Sequence, residues 1–495
     1  MAIELPPPLP PQAVPADELR TVANARTIEF KTYRVHLPAN GGLDAAQVRR
    51  AIAGADTVDE AVSALAQAYY ADGRLSDQLL YAVDAQDIYL AIYRRRITAV
   101  QAPPALQPYF EPLLGAPLTD SALEPRRALA NVDADRAGIA AQARLQATEG
   151  GAQLRIEPDG RELPTTGMQV DFGNPGNRFV GRHFLDVDLH HSDDSGDQFK
   201  LLWHTALTGI SDGRTDDYNE ETLSWDRVTT SGVWGLSGHA FDYAGRGDRD
   251  GQLREGRVTW LLPMAATLHS RLLLDARVDY INREIGTPDT QLREEYPSVQ
   301  VAMHYSYSAS PDAGPLDVDI GSTFRKGLRS EVAPTGAALD YFLWRPTVSV
   351  NLALSDAWST GLLLAGQLGT DTLPLESQWV LGGIDNVAAY LPGVAVGDTG
   401  AYGALDLLYH GWQLAGVRFS PRVFVEYGLS RYEQQSDAAT RGTSMLSDVG
   451  GELQASWRFL ETSLALAAPI AHRRVSSSLR DDSEANLLFR VTARF

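Results

Sequence analysis

Beyond about Met168, apolar and polar positions alternate along the chain with a period of two. In Ser270–Arg283, Leu272, Leu274, Ala276, Val278 and Tyr280 stand opposite Arg271, Asp275, Arg277 and Asp279. Ser298–Ser308 sets Val299, Val301, Met303, Tyr305 and Tyr307 against Gln300, His304 and Ser306, and Pro315–Arg325 sets Leu316, Val318, Ile320 and Phe324 against Asp317, Asp319, Thr323 and Arg325. Thr347–Ser355 repeats the scheme with Val348, Val350, Leu352 and Leu354. The final stretch, Ala485–Phe495, places Leu487, Phe489, Val491, Ala493 and Phe495 on one side and Asn486, Arg490, Thr492 and Arg494 on the other, with Leu488 the one exception. Successive strand residues point to opposite faces, so each stretch is a strand with one greasy and one wet face. A β-sandwich or propeller also alternates. The clean apolar faces here, with Tyr280, Trp344, Trp358 and Trp412 near strand ends, instead fit lipid on one side and interfacial aromatic girdles. Roughly 330 residues at about twenty per strand and turn predict a closed antiparallel transmembrane barrel of about sixteen strands. Phe489 and the terminal Phe495 mark the strand that closes it.

The first third has a different texture. Residues 1–26 contain Pro6-Pro7-Pro8-Leu9-Pro10-Pro11, which favours an extended linker, with room for a short helix after Pro15. Residues 27–96 read strand, two helices, two strands: Thr27–Val35, Leu43–Ala53, a helix opened by the capping box Thr57-Val58-Asp59-Glu60, then Leu79–Val83 and Ile88–Tyr93. Gly73 is placed to close the second helix in a left-handed conformation. Residues 97–158 repeat the order with Ile97–Gln101, helices around Leu106–Leu114 and Ser121–Asn131, and strands Ile139–Ala147 and Ala152–Ile156. Two consecutive α+β (β-α-α-β-β) units form an internal repeat, a single unrelated α+β domain being the plainer alternative. Residues 159–495 are left for the barrel.

Composition narrows the function classes. The chain has 495 residues, more than one core accommodates. No apolar run reaches the eighteen or so residues of a membrane helix. The net charge of −20 argues against nucleic acid as a partner, because a phosphate backbone needs a basic face. Cysteine is absent, which excludes disulfide and thiol chemistry. No leader is visible in Met1-Ala2-Ile3-Glu4, so an exported protein is expected here in its mature form. No G-x-x-x-x-G-K-[ST] stretch occurs, so no nucleotide is expected. Gly235-Leu236-Ser237-Gly238-His239 has the wrong spacing for a serine elbow. His190-His191 with Asp193 and Asp194 reads as a solvated turn rather than a metal site, and Arg246–Gly251 as a hydrophilic turn. No catalytic residue, metal or cofactor is expected.

Several stretches resemble the outer-membrane translocators of two-partner secretion, the TpsB type within the BamA superfamily. Asp171–Arg182 resembles the opening of their barrel, before strand one, and Ser195-Gly196-Asp197-Gln198 the turn into the second strand. Gln378–Gly383, including Leu381, Gly382 and Gly383, followed by Gly397-Asp398-Thr399-Gly400, resembles their long sixth loop and its exit. Phe424–Gly428 resembles the later strand whose acid, here Glu426, points into the lumen. The resemblance implies that residues 27–96 and 97–158 are periplasmic polypeptide-transport-associated (POTRA) domains.

Two departures stand out. The family's loop tip reads Val-Arg-Gly-Tyr, its arginine pairing with the lumenal acid. This chain has Val387-Ala388-Ala389-Tyr390, so Glu426 needs another cation, or lumenal water, and the loop is either held by other contacts or freer. The family's N-terminal plug helix and long linker also exceed what twenty-six proline-broken residues provide. The resemblance implies a Gram-negative outer-membrane protein, embedded in lipid and lipopolysaccharide, that captures an unfolded exoprotein and passes it to the surface. The cargo would be a large β-helical protein. Ile97, Val100, Leu106 and Phe110 are the candidate cargo-binding residues of the second domain. The alternatives are an assembly factor that inserts barrels and, third, a passive porin. Purified protein should stay monodisperse only in detergent, as sedimentation with and without detergent will check; a detergent-free monodisperse chain would refute the barrel.

Overall fold

The computed structural model describes the chain except residues 1–2, 24, 39–41, 177–179, 208–216, 246–248, 288–289, 311–313, 385, 434–441 and 476–486. The Arg246–Asp248 part of the expected turn, Asn177–Phe179 of the barrel-opening motif and Ala485–Asn486 of the final stretch lie outside the described residues.

The expected alternation produces a closed antiparallel barrel of sixteen strands, from Thr166–Gly173 to Leu487–Arg494. Its twelfth strand, Thr399–Tyr409, is interrupted and resumes as Trp412–Leu414. Gln169–Gly173 pairs with Arg490–Arg494 to close the ring. Asn174 lengthens the seam, its side chain accepting from the Phe489 amide at 2.7 Å and donating to the Leu487 carbonyl at 2.9 Å. Met168 and Phe495 exchange both backbone hydrogen bonds, at 3.1 and 2.8 Å.

The two faces are those the pattern requires. Val278 and Tyr280 are 53% and 52% exposed on the outside, while Asp279 between them is 1% exposed within. Trp358 with Tyr409, Trp412 with Phe419, and Phe459 with Phe495 form aromatic pairs, 4.9 to 5.7 Å apart, at the ends joined by short turns. Tyr280 and Trp344 lie toward the other rim. Two sequence positions need correcting. Asp171–Gly173 ends the first strand rather than preceding it, and Ser195–Gln198 leads into the third strand, Asp197–Ala206. The barrel has one more strand ahead of these motifs than the resemblance placed there.

Two α+β units precede the barrel. Capping boxes start the helices Ala45–Ile52, through Asp44 and Gln47, and Val58–Ala71, through Thr57 and Glu60, and Gly73 follows with φ +82°. The expected strand Thr27–Val35 is instead a hairpin, Arg26–Phe30 and Tyr33–Leu37: Lys31 takes a left-handed turn conformation, φ 51°, and the buried positions change parity across it, from Ile28 and Phe30 to Val35 and Leu37. The second unit has strand Ile97–Gln101, a short helix Gln107–Phe110, a long one Asp120–Arg136, and strands Ile139–Thr148 and Gly151–Glu162. Its last strand runs past residue 158, and the barrel begins at Thr166. The two sheets share one order: an N-terminal strand, the first strand of the C-terminal hairpin, the second, then the strand before the helices. The first sheet adds Arg26–Phe30 at its far edge.

The proline-rich start is not a free linker. Ile3–Glu4 joins the second sheet and Gln12–Ala13 the first, with the short helix Ala16–Leu19 after them.

The second unit docks on the short-turn end of the barrel. Arg136, buried at the end of the long helix, donates to the carbonyls of Gly196 and Asp226 at 2.9 and 3.1 Å. Val228, Val233 and Leu268 of the barrel turns pack into that unit's core. Beside Arg136, burial pushes the Asp133 carboxyl above its usual range, and the Tyr109 hydroxyl and the guanidinium draw it back. Removing a buried group that satisfies two carbonyls costs about 1–3 kcal/mol for each partner left unpaired. Arg136→Ala should therefore raise hydrogen exchange in the 193–197 and 226–232 turns at least about tenfold while mid-barrel amides stay protected.

Candidate functional site

The connection between the eleventh strand, Trp358–Gly369, and the twelfth turns inward. Within it, Trp379–Leu381 pairs with Ala395–Gly397, making a two-stranded arm whose tip is Val387-Ala388-Ala389-Tyr390. The glycines make the fold of this arm feasible. Gly382 has φ +101°, and a Cβ there would stand 2.1 Å from the Leu391 carbonyl oxygen. On the facing wall, a Cβ at Gly428 would meet Leu381 at 2.8 Å and Val387 at 3.0 Å, so the bare backbone lets the arm lie against the strand.

All four tip residues are 0% exposed. They pack with Leu381 and Leu391 against Tyr402, Ala404, Phe424, Leu446, Ala465 and Leu488, which face inward from the last five strands. The free-loop alternative is therefore wrong: the tip is seated on the wall. Glu426 lies there as expected, 3% exposed, but its partner is not a cation. Its Oε2 accepts the Ala388 amide at 2.7 Å, and its Oε1 accepts the Tyr402 hydroxyl. Asp448, its cross-strand neighbour, accepts the Ala389 amide at 2.6 Å through Oδ2. Among the described residues, neither carboxyl has an ion pair. Backbone amides at the tip occupy the place where the family pattern puts a guanidinium.

The same connection is anchored across the lumen. Arg283 of the seventh strand donates to Glu376 at 2.6 Å, and Tyr296 of the eighth strand also hydrogen-bonds Glu376. Arg345 and Gln367 each donate to the Ser377 carbonyl at 2.9 Å. Asp398, fully buried at the exit, accepts the amides of Leu373 and Glu433 at 2.8 and 2.9 Å. A Cβ at Gly400 would stand 2.0 Å from the Trp379 ring, so this glycine leaves room for the indole. The loop thus spans the lumen from the seventh and eighth strands to the thirteenth and fourteenth.

The remaining lumen is charged. Asp279 binds Arg257 at 3.0 Å, Arg277 at 2.8 Å and Arg325 at 3.4 Å, and Glu255 joins through Arg257 at 3.0 Å. Arg494 pairs with Glu461 at 2.8 Å near the seam, in a polar cavity that Gln169, Asp171, Arg422 and Arg490 also line. Phe489 packs on Phe172 across the seam, rings 5.5 Å apart.

The second-domain residues need correction. Ile97, Leu106 and Phe110 are 0% exposed in the domain core, and Val100 is half-buried. A short helix and an adjacent strand must bury their apolar faces somewhere, and in a unit this small that place is its own core. Ile97, Leu106 and Phe110 hold the domain together and present no surface, and Val100 packs partly against the same core. Sequence reasoning missed Asp448, Tyr402, Arg283 and Glu376. An acid on the lumenal phase of Ser444–Trp457, in step with buried Leu446 and with Val449 and Leu453 exposed on the other side, was the available signal for Asp448.

An apolar exterior, a charged lumen crossed by an inward loop, and two α+β units ahead of the first strand define an outer-membrane type of β-barrel. None of the protein-family models compared matches the chain, and no curated protein matches it by sequence. Solved structures do. CdiB from Escherichia coli aligns with a TM-score of 0.69 at 15% identity, covering 97% of this chain and 95% of that one. CdiB from Acinetobacter baumannii aligns at 0.66 and 12%, covering 95% and 91%. BamA from Haemophilus ducreyi lacking POTRA domains 1–3 aligns at 0.52 and 12%, covering 95% and 100%. The chain has the fold these proteins share, and the resemblance read from its motifs holds at that level.

If the two carboxyls hold the loop tip, their loss should free it. A thiol introduced by Ala389→Cys would be unique, since the chain has no cysteine. Impermeant maleimide should label it at least about tenfold faster in Glu426→Ala/Asp448→Ala, because two buried hydrogen bonds are lost at about 1–3 kcal/mol each. Equal labelling would show that the apolar seat alone holds the tip.

Proposed function

We propose that this protein exports a dedicated exoprotein across the Gram-negative outer membrane by two-partner secretion. The observation that carries the reading is the pair of α+β units ahead of a polar-lumen barrel, the second docked on its short-turn end. Such units have no role in a passive pore. In this reading they are POTRA domains in the periplasm, and the first contact of an unfolded cargo is with their sheet edges, where backbone donors and acceptors can be matched without regard to sequence. The lumenal Asp279 cluster hydrates the route and keeps a passing chain from adhering. The loop seated on Glu426 and Asp448 crosses that route, so transport requires the tip to leave its seat or a passage to open beside it. The cargo is a large β-helical protein whose folding outside draws it forward, and the barrel's exterior meets lipid and lipopolysaccharide.

Deletion of the gene tests this directly. The culture supernatant should lose one large protein, which complementation restores. Loss of several barrel proteins from the outer membrane, with an unchanged supernatant, would instead identify an assembly factor. An unchanged supernatant and membrane, with a conducting purified barrel, would leave a porin.

A further inference from the structure

The lumen is covered unevenly. From the seventh strand round to the sixteenth, the inward side chains at the height of the loop are buried. Residues 328–341, between the ninth strand Leu316–Gly327 and the tenth Phe342–Ala353, also fold inward there, and their Leu339 and Tyr341 pack on Ile281 and Tyr296. The Ala338 amide donates to the Thr372 carbonyl at 2.9 Å, which fastens this segment to the inward loop. On the second strand, Phe184–Ser192, the third, and the fourth, Asp217–Thr229, inward side chains stay open instead. Leu202, in register with Asp188 and through it with Gln169 on the lumenal phase, is 44% exposed. It lines a cavity of about 380 Å³ with Asp171, Glu220 and Thr222.

This open sector starts at the turns on which the second α+β unit docks. At the far end it meets a row of aromatic rings. Phe184 stacks on His204, ring centres 4.4 Å apart, and Tyr218 stands edge-on to both at 5.6 and 5.5 Å. Tyr218 in turn stacks on Phe241 at 6.0 Å, and Phe241 meets Tyr243 at 6.2 Å. The row thus crosses from the second strand to the fifth, Gly232–Gly245. One end packs on Val180 and Ala206, and the other reaches the cluster that holds Leu339 and Tyr341. The Tyr218 hydroxyl donates to Glu220 at 2.6 Å, and His204 hydrogen-bonds Asp186, so the wall holds both rings by their polar edges. Exposure stops at the row: Phe184 and Ala206 are buried, one turn of the pattern beyond Leu202.

We infer that the wall of the second to fourth strands is the passage, and that the aromatic row is its gate, which a chain in transit parts as it leaves. The exported chain as traveller rests on the function proposed above; the passage and its gate do not. Rings swing aside by side-chain rotation, with no backbone hydrogen bond broken. Their faces receive aliphatic, aromatic and cationic groups alike, so the gate yields to many sequences. Closed, a constriction of packed rings excludes hydrated ions. The loop tip can then stay seated while a chain passes on the opposite side of the lumen.

The test uses the full chain in planar bilayers, with potassium chloride current as the probe. Phe184→Ala/Phe241→Ala should pass at least about threefold more current than the native chain. Phe184→Leu/Phe241→Leu, which keeps apolar bulk for folding, should pass at least about twofold more. In either background Leu202→Cys is a unique thiol. A methanethiosulfonate adduct there should cut the current at least about twofold, and reductant should restore it. Ala465→Cys, beneath the loop tip, should leave the current unchanged under the same reagent. Native current in both ring variants overturns the proposal, as does an adduct at Leu202→Cys with no more effect than one at Ala465→Cys. In cells, a maleimide adduct at Leu202→Cys should stop release of the protein that gene deletion removes; undiminished release with the thiol fully modified overturns the route. If deletion removes no exported protein while the adduct still blocks current, the export reading falls and the passage stands.

Discussion

In hydrocarbon every backbone N–H and C=O must find its partner within the protein, and the rest of this structure depends on meeting that demand. The sheet meets it by closing on itself. The most vulnerable place is the seam, where the first and last strands share register over only Gln169–Gly173 and Arg490–Arg494. The side chain of Asn174 supplies one donor and one acceptor just beyond the last pair, and Met168 and Phe495 tie the opposite end. A strand left unpaired in lipid would cost several kcal/mol for each unmet group, far more than the girdle aromatics recover. Closure dominates, and the girdle adjusts depth.

Closure creates an interior, and the interior imposes the next requirement. Its wall is polar over most of the circumference, around Asp279 and its three arginines. The last five strands differ: Phe424, Leu446, Ala465 and Leu488 face inward there, and the loop tip covers them. Apolar packing and two carboxyl-to-amide hydrogen bonds act together, the first giving affinity and the second fixing where the tip sits. At the short-turn end, Arg136 and the apolar turn residues join the barrel to the second α+β unit.

Much of this was legible because period-two alternation reports directly on which side of a sheet a residue occupies. The in-out assignment of Val278, Asp279 and Tyr280 follows from it. Leu488 was the one break in the final stretch, and the structure gives its cause: it is 2% exposed beneath the loop tip, so an apolar residue on the wet phase marked a place where the lumen is covered. Glu426 was found by its place in a motif. Asp448 escaped because none of the matched motifs reaches its strand, although Leu446 and Asp448 share its inward phase. The hairpin at Lys31 escaped because its only mark is a change of phase over Lys31-Thr32, with no glycine, proline or asparagine to signal a turn. The N-terminal arm escaped for another reason: each of its sheet pairings is two residues long, shorter than any periodic pattern can show, and its prolines argue for an unattached chain. Ile97, Leu106 and Phe110 were recognised as apolar but assigned to the wrong side, since a short amphipathic face looks the same whether it covers a core or awaits a ligand.

The way the tip is fastened also bears on how such sequences diverge. A guanidinium latch depends on one side chain and is lost with it. Peptide N–H groups belong to every residue but proline, so a latch made of them is indifferent to spelling. Positions 388 and 389 need only keep an N–H and a small volume, being sealed beneath the wall. Once Glu426 and Asp448 grip the main chain, the lettering of the tip can drift generation after generation, and the attachment stays where it was.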